Sequence, residues 1–432
     1  MKTLAPDNPK SRFDVYRFFN GLSEDAKRGL DLRRSHSPFV KTFLLEHVSK
    51  RNNGQPKTPV NIFERLGADV KILDDDFMGL KFVVQDKDSN RPSPATTGFL
   101  ERYDERFFAY YTCENSNDAK ARVEKWVHEQ DLDHAWFSGS LLQVLWNKDI
   151  SQRGDNRIGK LVFKHESIFD MPEDSSSIQE SGDNLADEDP IEDDTDFQDS
   201  PLEERFDIER PKARFEMKDR IGKMKGALAN LQEDYEPLSA LHAVRFPSQT
   251  GRGSHDLYQD GRITNWTDSF EDHRNMVRYL YRIYKSILDA TEESAWAEIQ
   301  GNQLHLGKGG VPLIIKFDES LSLSETTFQR WVQKAFQKRN AFKLWGDPIF
   351  LGPTKVHVYG ADRHLWQPIN LELTSTGIVA ILSPNTCGNT FHRLITNIQQ
   401  YVCPKIKAWV GSEPFENLVD KWPSQIEKSS EN

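Results

Sequence analysis

The sequence predicts an α+β (mixed α/β) fold in which two mixed-sheet domains are joined by an acidic disordered linker. Short apolar runs typical of strands alternate with stretches of helical periodicity on both sides of the middle of the chain. Residues 173–204 contain 14 acidic residues and no Lys or Arg. The 10 Trp and 26 Phe among the 432 residues favour globular domains over general disorder, because these side chains supply apolar surface to bury.

Residues 1–59 are predicted to form an N-terminal helical segment. Four apolar side chains near its start share one helical face, namely Val15, Phe18, Phe19 and Leu22. After Ser37-Pro38, the stretch from Phe39 to Val48 predicts a second helix.

Residues 60–170 are predicted to form a mixed α/β domain. Their order of strands and helices is typical of an α+β or α/β arrangement. Strands are expected over residues 68–73, 80–85, 106–112 and 160–163, and helices over residues 117–129 and 141–146.

Residues 171–210 are predicted to be the acidic linker, because acidic runs with few aromatic residues cannot bury enough apolar surface to fold. Removing the 14 acids of residues 173–204 from the formal net charge of −11 leaves +3 for the rest of the chain. Six basic residues follow the segment: Lys212, Arg214, Lys218, Arg220, Lys223 and Lys225. The segment is therefore either a solvated linker or a regulatory, nucleic-acid-mimicking segment that folds back on these cations.

Residues 211–412 are predicted to form a larger α+β domain that carries a basic cluster, and residues 413–432 a polar C-terminal tail. Helices are expected over residues 215–235, 326–339 and 389–401. Strands are expected over residues 241–246, 312–317, 355–359, 369–374 and 378–382.

The basic cluster lies between residues 245 and 288. Glycines in the loop 249–254 permit positive φ and leave backbone N–H groups free for an anion, and Arg252 adds a guanidinium suited to phosphate. Asp260-Gly261 predicts a hairpin with a type I′ turn, and Arg262 follows it. A helix capped by Asp268 or Ser269 is expected next.

That helix is predicted to be amphipathic, with a basic stripe beside its apolar stripe. The basic stripe consists of Arg274, Arg278, Arg282 and Lys285. Either it binds phosphates together with Arg252 and Arg262, or it is a solvated face whose long side chains cover apolar surface. His273 falls within the apolar arc, where a core histidine is the alternative to a ligand.

A second anion site is predicted at the start of the last long helix. Asn389 and Thr390 open this helix and Arg393 lies in its first turn, where free N–H groups attract phosphate or carboxylate. The alternative is a plain helix cap by Asn389 or Thr390.

The candidate catalytic residues are His255 and Asp256, which lie beside Arg252, with Asp268 as a further acid. They suit acid–base work on a phosphodiester, and we expect His255 to be exposed in its glycine-rich loop. Glu216-Met217-Lys218 matches the letters of a metal-dependent nuclease motif, but it falls within a predicted helix and is set aside.

Metal and cofactor motifs give no assignment. Asp74-Asp75-Asp76 suits either a Mg²⁺ site or a turn, and the spacing of Cys387, His392 and Cys403 is irregular for zinc. No metal ligand is therefore assigned, and the cofactor is left open.

The compartment is predicted from what the sequence lacks. Three scattered cysteines indicate a reducing environment without a disulfide framework. The first residues lack the apolar run of a signal peptide, and no stretch approaches the ~20 apolar residues of a membrane span. These features predict a cytoplasmic protein without a membrane partner.

The leading functional hypothesis is a nucleic-acid-binding subunit of a larger assembly, in microbial genome maintenance or antiviral defence against foreign DNA. Its expected partners are nucleic acid and other protein subunits. One alternative is a nuclease or other phosphodiester-acting enzyme that uses His255 and Asp256, which requires them to share a pocket with Asp268. Another alternative is a non-catalytic protein-interaction scaffold.

Overall fold

In the computed structural model, the described residues are 5–6, 8–31, 38–47, 59–82, 96–129, 132–151, 156–166, 212–249, 252–296, 310–318, 323–336, 342–362, 365–384 and 386–420. The predicted acidic linker, residues 171–210, lies outside them. The helices are α1 (Arg12–Asp31), α2 (Pro59–Arg65), α3 (Ser116–Glu129), α4 (Gly139–Ser151), α5 (Ile221–Asp234), α6 (Phe270–Ala295), α7 (Glu325–Ala335), α8 (Asn389–Tyr401) and α9 (Phe415–Asp420).

The strands are β1 (Lys41–His47), β2 (Ala68–Asp74), β3 (Phe77–Phe82), β4 (Thr96–Arg102), β5 (Phe107–Thr112), β6 (Leu132–His134), β7 (Ile158–Glu166), β8 (Lys212–Arg220), β9 (Leu241–Pro247), β10 (Ser254–Tyr258), β11 (Arg262–Asn265), β12 (Leu313–Phe317), β13 (Leu344–Gly352), β14 (Lys355–Asp362), β15 (Gln367–Thr374), β16 (Gly377–Leu382), β17 (Ile406–Val410) and β18 (Glu413–Pro414). The predicted α+β class is confirmed, because helices and antiparallel sheets both form. No helix of the described residues is long and apolar enough to cross a membrane.

The chain divides into two compact units. The described residues of the first unit lie within 1–135 and 245–281, and those of the second unit lie within 136–166, 212–244 and 282–420. The division falls within β9 and α6, so each of these two elements contributes residues to both units. The domain ranges predicted from the sequence differ from this division and stay predictions about which segments fold independently.

The first unit is built on an antiparallel sheet in the order β2-β3-β4-β5-β1-β11-β10, and β6 also pairs with β1. A cluster of buried apolar residues joins one face of this sheet to α2 and α3, with Phe63 and Trp126 in T-shaped contact. On α1, the Phe19 ring contacts Phe99 of β4 and Phe270 of α6. Helices therefore supply the apolar contacts on both sides of the strands.

The helix predicted from Phe39 to Val48 is wrong, because residues 41–47 form β1. All seven side chains of β1 are buried, and it pairs antiparallel with β5, β6 and β11. A strand that is buried on both faces lacks polar alternation, so its short apolar run cannot be told from a buried helix by periodicity.

The second unit contains two groups of strands. In the first group, β7 pairs antiparallel with β8 and with β9. The second group is a sheet whose seven described strands follow the order β13-β14-β15-β16-β12-β17-β18. One face of this sheet, the inner face, is apolar and buried: it includes Val356, Val358, Leu371 and Ile315, and Phe317 contacts Trp331 of α7.

The helix predicted over residues 215–235 is wrong in its first part. Residues 212–220 form β8, and α5 begins only at Ile221. Phe215 and Met217 alternate with charged residues at period two, which is typical of a strand, whereas the prediction extended the helical periodicity of α5 backwards. Glu216-Met217-Lys218 therefore lies in a strand, and the argument that it falls within a helix was wrong.

The predicted last helix, residues 389–401, is confirmed as α8. Its residues from Asn389 to Gln400 are all buried, although many of them are polar. Partners in the second unit take up these polar groups: Gln399 Oε1 accepts a hydrogen bond from Gly139 N at 2.8 Å, and Gln399 O lies 3.1 Å from His165 Nδ1. Of the predicted polar tail, residues 413–420 form β18 and α9, in which Phe415 is buried.

Candidate functional site

The predicted catalytic residues His255 and Asp256 are adjacent on β10, so their side chains point to opposite faces of the strand. His255 is fully buried, which makes the expectation of an exposed histidine wrong. Its ring stacks on His273 with centroids 5.3 Å apart, and its Nε2 lies 3.7 Å from Asp272 Oδ2. His273 Nε2 lies 2.7 Å from the Thr42 hydroxyl.

Asp256 has a separate set of partners. Its carboxylate accepts hydrogen bonds from Arg245 Nε and Nη2 at 2.6 and 2.7 Å, and from Trp266 Nε1 at 3.1 Å. Asp268 lies in an exposed turn, where it accepts a hydrogen bond from the backbone N of Arg252 at 3.3 Å. The structure therefore does not bring His255, Asp256 and Asp268 into one pocket.

The structure confirms the hairpin of the basic cluster but not its predicted turn type. Residues 250 and 251 of the loop lie outside the described residues, and the Arg252 side chain is exposed. The hairpin of β10 and β11 is confirmed, but its loop has three residues and Gly261 alone of them has positive φ, at 71°. A type I′ turn needs positive φ at both central residues, so the predicted turn type is wrong.

Arg262 is buried, with its guanidinium 3.7 Å from the Tyr258 ring centre.

The first two arginines of the predicted basic stripe bind an internal carboxylate. Glu101 is fully buried and accepts hydrogen bonds from Arg274 Nε at 2.9 Å and from Arg278 Nη2 at 2.8 Å. The Tyr111 hydroxyl donates to the same carboxylate at 2.9 Å. Burial raises the pKa of Tyr111 well above its usual value, so the phenol remains a neutral donor.

The rest of the stripe belongs to the second unit. Arg282 is exposed. Lys285 forms an ion pair with Asp289 one helical turn later, at 2.6 Å. The predicted cap of the helix is confirmed at Ser269, whose hydroxyl accepts a hydrogen bond from the Asp272 N–H at 3.2 Å.

The predicted anion site at the start of α8 holds the chain's own acids. Gly388 N donates to Glu292 Oε1 at 2.7 Å, and the Glu292 carboxylate is buried. Arg393 and Thr390 both bind the buried Asp362, the hydroxyl at 2.5 Å. Asn389 accepts a hydrogen bond from the Tyr284 hydroxyl. Internal carboxylates thus occupy the positions that an external phosphate would take.

The acidic residues of two further candidate motifs pair with cations of the chain itself. Within the described residues there is no group of three or more His, Cys, Asp or Glu that could hold a metal ion. Asp74 and Asp76 instead bind the guanidinium of Arg12, and this bond holds the pKa of Asp74 below its usual value. Glu216 pairs with Lys160 at 3.0 Å.

Among the described residues, two further groups of cations, which the site prediction did not include, lie on the surface. The first is a surface that we call the basic ridge, on β8 and the start of α5. It consists of the exposed side chains of Arg214, Lys218, Arg220, Lys223 and Lys225. Glu216 and Asp219 lie among them, so the ridge carries an excess of positive charge.

The second group lies on the outer face of the seven-stranded sheet, opposite its buried inner face. Lys355, Thr374, Gly377, Lys316 and Lys407 lie directly opposite one another in succession across β14, β15, β16, β12 and β17. Directly paired residues project from the same face of an antiparallel sheet. We call Lys355, Lys316 and Lys407 the lysine row.

Hydrogen bonds and ring contacts orient the lysine row. Lys355 binds Glu372 at 2.9 Å, and His357 binds the same carboxylate at 2.6 Å. The hydrogen bonds from Lys355 and His357 lower the pKa of Glu372. Lys316 Nζ lies 5.4 Å from the centre of the Trp409 ring. The excess positive charge of the row therefore lies at Lys316 and Lys407, which are both exposed.

Large aromatic side chains lie on the same outer face. Trp345 of β13 is 55% exposed and Tyr359 of β14 is 69% exposed. Trp345 is paired with Ala361 and Tyr359 with Asp347, so the two rings are diagonal neighbours. The signal for this surface was present in the sequence: Lys355, His357 and Tyr359 alternate with the buried Val356 and Val358.

Comparison with known proteins gives the family. The family model described as MJECL33-like protein matches residues 24–416 of this chain. A protein of Methanocaldococcus jannaschii, with the printed name "Uncharacterized protein MJECL33", is 23% identical over 311 residues, which cover 70% of this chain and 73% of the relative. Because the family model covers most of the 432 residues, the chain belongs to the MJECL33-like protein family.

Proposed function

We propose that this chain is a nucleic-acid-binding subunit of a larger assembly and that the lysine row contacts phosphates. The observation that carries the proposal is the pairing of Lys316 with Lys407, two exposed like charges directly opposite each other on one sheet face. Such a pair is destabilising by itself, because its Cβ atoms are about 4.5–5.5 Å apart. A bound phosphate would remove the repulsion and release counterions on binding.

Three of the cations that the sequence analysis assigned to phosphate are less suited to this role. Arg274, Arg278 and Arg393 each bind a buried carboxylate, so phosphate binding would leave that carboxylate without its cation. Lys316 and Lys407 are exposed, so phosphate binding by these lysines would leave no buried carboxylate without its cation.

The assembly part of the proposal is supported by exposed apolar side chains at the end of β13. Ile349, Phe350 and Leu351 are consecutive, and each is about half exposed. Successive residues of a strand point to opposite faces, so both faces at this end of β13 expose apolar side chains, and exposed apolar surface is typical of protein–protein contacts. The assignment to genome maintenance or to antiviral defence stays a prediction.

The phosphate contact is tested by the salt dependence of binding. We expect the slope of log K against log salt to fall by about 0.7–0.9 for each lysine removed, in the double variant Lys316→Gln/Lys407→Gln. Lys285→Gln is the matched control, because Lys285 already pairs with Asp289. A reduced slope in the control and an unchanged slope in the double variant would locate the contact on α6 and reject the lysine row.

The assembly is tested by purification from the native host with and without nuclease treatment. Partners held by the apolar end of β13 should remain after nuclease treatment and be lost from Ile349→Ser/Leu351→Ser. If every partner disappears with nuclease, or none depends on these residues, the assembly part of the proposal is wrong.

A further inference from the structure

The outer face of the seven-stranded sheet presents two flat rings next to each other. Trp345 and Tyr359 are diagonal neighbours, and both rings are more than half exposed. Diagonal neighbours on adjacent strands lie about 7–8 Å apart at Cα. Large apolar rings this exposed are unfavourable in water unless another flat or apolar surface covers them.

We propose that Trp345 and Tyr359 form a stacking platform for unpaired bases, which makes single-stranded nucleic acid the ligand of this face. The inference rests on the proposed function, because the lysine row supplies the phosphate contacts. Bases of a duplex are stacked on one another and hide their faces, whereas bases of a single strand stack readily on aromatic side chains. A sheet face also has no protruding helix or ribbon with which to enter a duplex groove.

The surroundings of the platform favour a base over an apolar protein surface. Tyr359 lies directly between Asp347 of β13 and Asn370 of β15. These side chains offer a carboxylate and an amide, which can accept from and donate to the edges of a base. Burial of Asp347 against an apolar partner would instead cost the desolvation of a charge.

The distance between the rings and the lysines suits a nucleotide chain. Tyr359 and Lys355 lie on the same face of β14, four residues apart, which is roughly 13 Å at 3.3–3.4 Å per residue. The lysine row then continues across the sheet from β14 to β17. A strand whose bases stack on the platform can therefore place phosphates further along on the lysines.

The experiment compares a single-stranded oligonucleotide with the duplex of the same sequence, by fluorescence anisotropy at low salt. The wild type should bind the single strand more tightly. Trp345→Ala and Tyr359→Ala should each weaken that binding by about 5- to 100-fold, the loss expected for one stacked base. Trp345→Phe and Tyr359→Phe should retain most of the affinity, because they keep a ring.

The salt slope separates this inference from the proposed function. The Ala variants should keep the slope of the wild type, whereas the variants of the lysine row should reduce it. Phe13→Ala is the matched control, because Phe13 is 70% exposed and lies in the other unit. Circular dichroism establishes that each variant is folded.

Three outcomes would overturn the inference. If the wild type binds neither oligonucleotide, the proposed function is wrong and the platform has no ligand. If the wild type binds duplex as tightly as single strand, and Trp345→Ala has no effect, the protein binds nucleic acid but not through unpaired bases. If Trp345→Ala leaves oligonucleotide binding intact and abolishes association with a protein, the face is a protein interface.

Discussion

Glu166 and Lys212 lie directly opposite each other across the antiparallel pair of β7 and β8. The Cα atoms of such partners are only about 4.5–5.5 Å apart. The two residues that flank segment 167–211 are therefore neighbours at one end of β8, the strand that carries much of the basic ridge. The segment between these two partners contains the 14 acids of residues 173–204.

Replacing residues 173–204 with a neutral Gly/Ser linker of equal length should raise the affinity for non-specific nucleic acid. We expect the acids to compete with phosphates for the ridge, because a tether raises their effective concentration there. The gain should be largest at low salt, because the Debye length shrinks to about 8 Å at 0.15 M. Anisotropy titrations over a range of salt concentrations measure the effect.

The control is a linker of the same length that keeps the 14 acids in scrambled order. It should behave as the wild type, since the competition depends on charge and not on sequence. Equal affinity of the neutral and wild-type proteins at every salt concentration would mean that the segment is only a linker.

Arg274→Ala should lower the free energy of unfolding by about 3–5 kcal/mol, because it leaves the buried Glu101 carboxylate short of its main cation. Arg282→Ala, at an exposed position of the same helix, should change it by no more than about 0.5 kcal/mol. Urea denaturation measures both. Adding Glu101→Gln to Arg274→Ala should recover part of the loss, and no recovery would show that the arginine acts by packing alone.

Acidification should destabilise the first unit through His273. Burial, with repulsion from His255 as the smaller cause, holds the pKa of His273 well below its usual 6.5. The unfolded chain takes up this proton near pH 6.5 while the folded chain does not, so stability is lost as the pH falls below that value. The loss approaches about 1.4 kcal/mol per pH unit for one such group.

The comparison that isolates His273 is wild type against His273→Gln, which keeps a hydrogen-bonding group near Thr42 and does not titrate. Urea denaturation at pH 7.5, 6.5 and 5.5 should show a steeper loss of stability for the wild type. Parallel pH profiles would mean that His273 is protonated in the folded protein or contributes nothing to the dependence.

The three cysteines should resist thiol reagents in the native protein. Cys113, Cys387 and Cys403 are all buried, and burial raises the pKa of the Cys113 thiol to about 12. A thiol-specific aromatic disulfide reagent should therefore react only after denaturant is added, with three equivalents per chain. Rapid reaction of one cysteine without denaturant would indicate local opening around it.

Local periodicity predicted much of the fold. The apolar spacing around Val15 and Phe19 identified α1, and Asn389 was correctly expected to begin α8. The prediction failed where tertiary contacts decide the structure. The run Phe43-Leu44-Leu45 is buried on both faces of a sheet, and that burial depends on distant strands which no local pattern can identify.

The candidate site was harder to predict than the fold, for an electrostatic reason. A sequence shows which residues are cations but not which carboxylates neutralise them, and Arg274 meets Glu101 across 173 residues of chain. Arg393 and Asp362 are likewise brought together by the fold. In the same way, Lys316 and Lys407 become neighbours only through the pairing of β12 with β17, which the spacing of the sequence does not indicate.

The burial of α8 from Asn389 to Gln400 has a consequence for how the second unit opens. Its polar side chains obtain partners from α4 and from the buried Asp362, and a backbone carbonyl of the helix obtains one from β7, so a partly opened state would leave several polar groups unsatisfied at once. Backbone amides that lie this deep exchange hydrogen with solvent only when the surrounding structure unfolds as a whole. The amides of α8 should consequently be among the slowest to exchange deuterium, and their rates should report the global stability of the unit rather than local fraying.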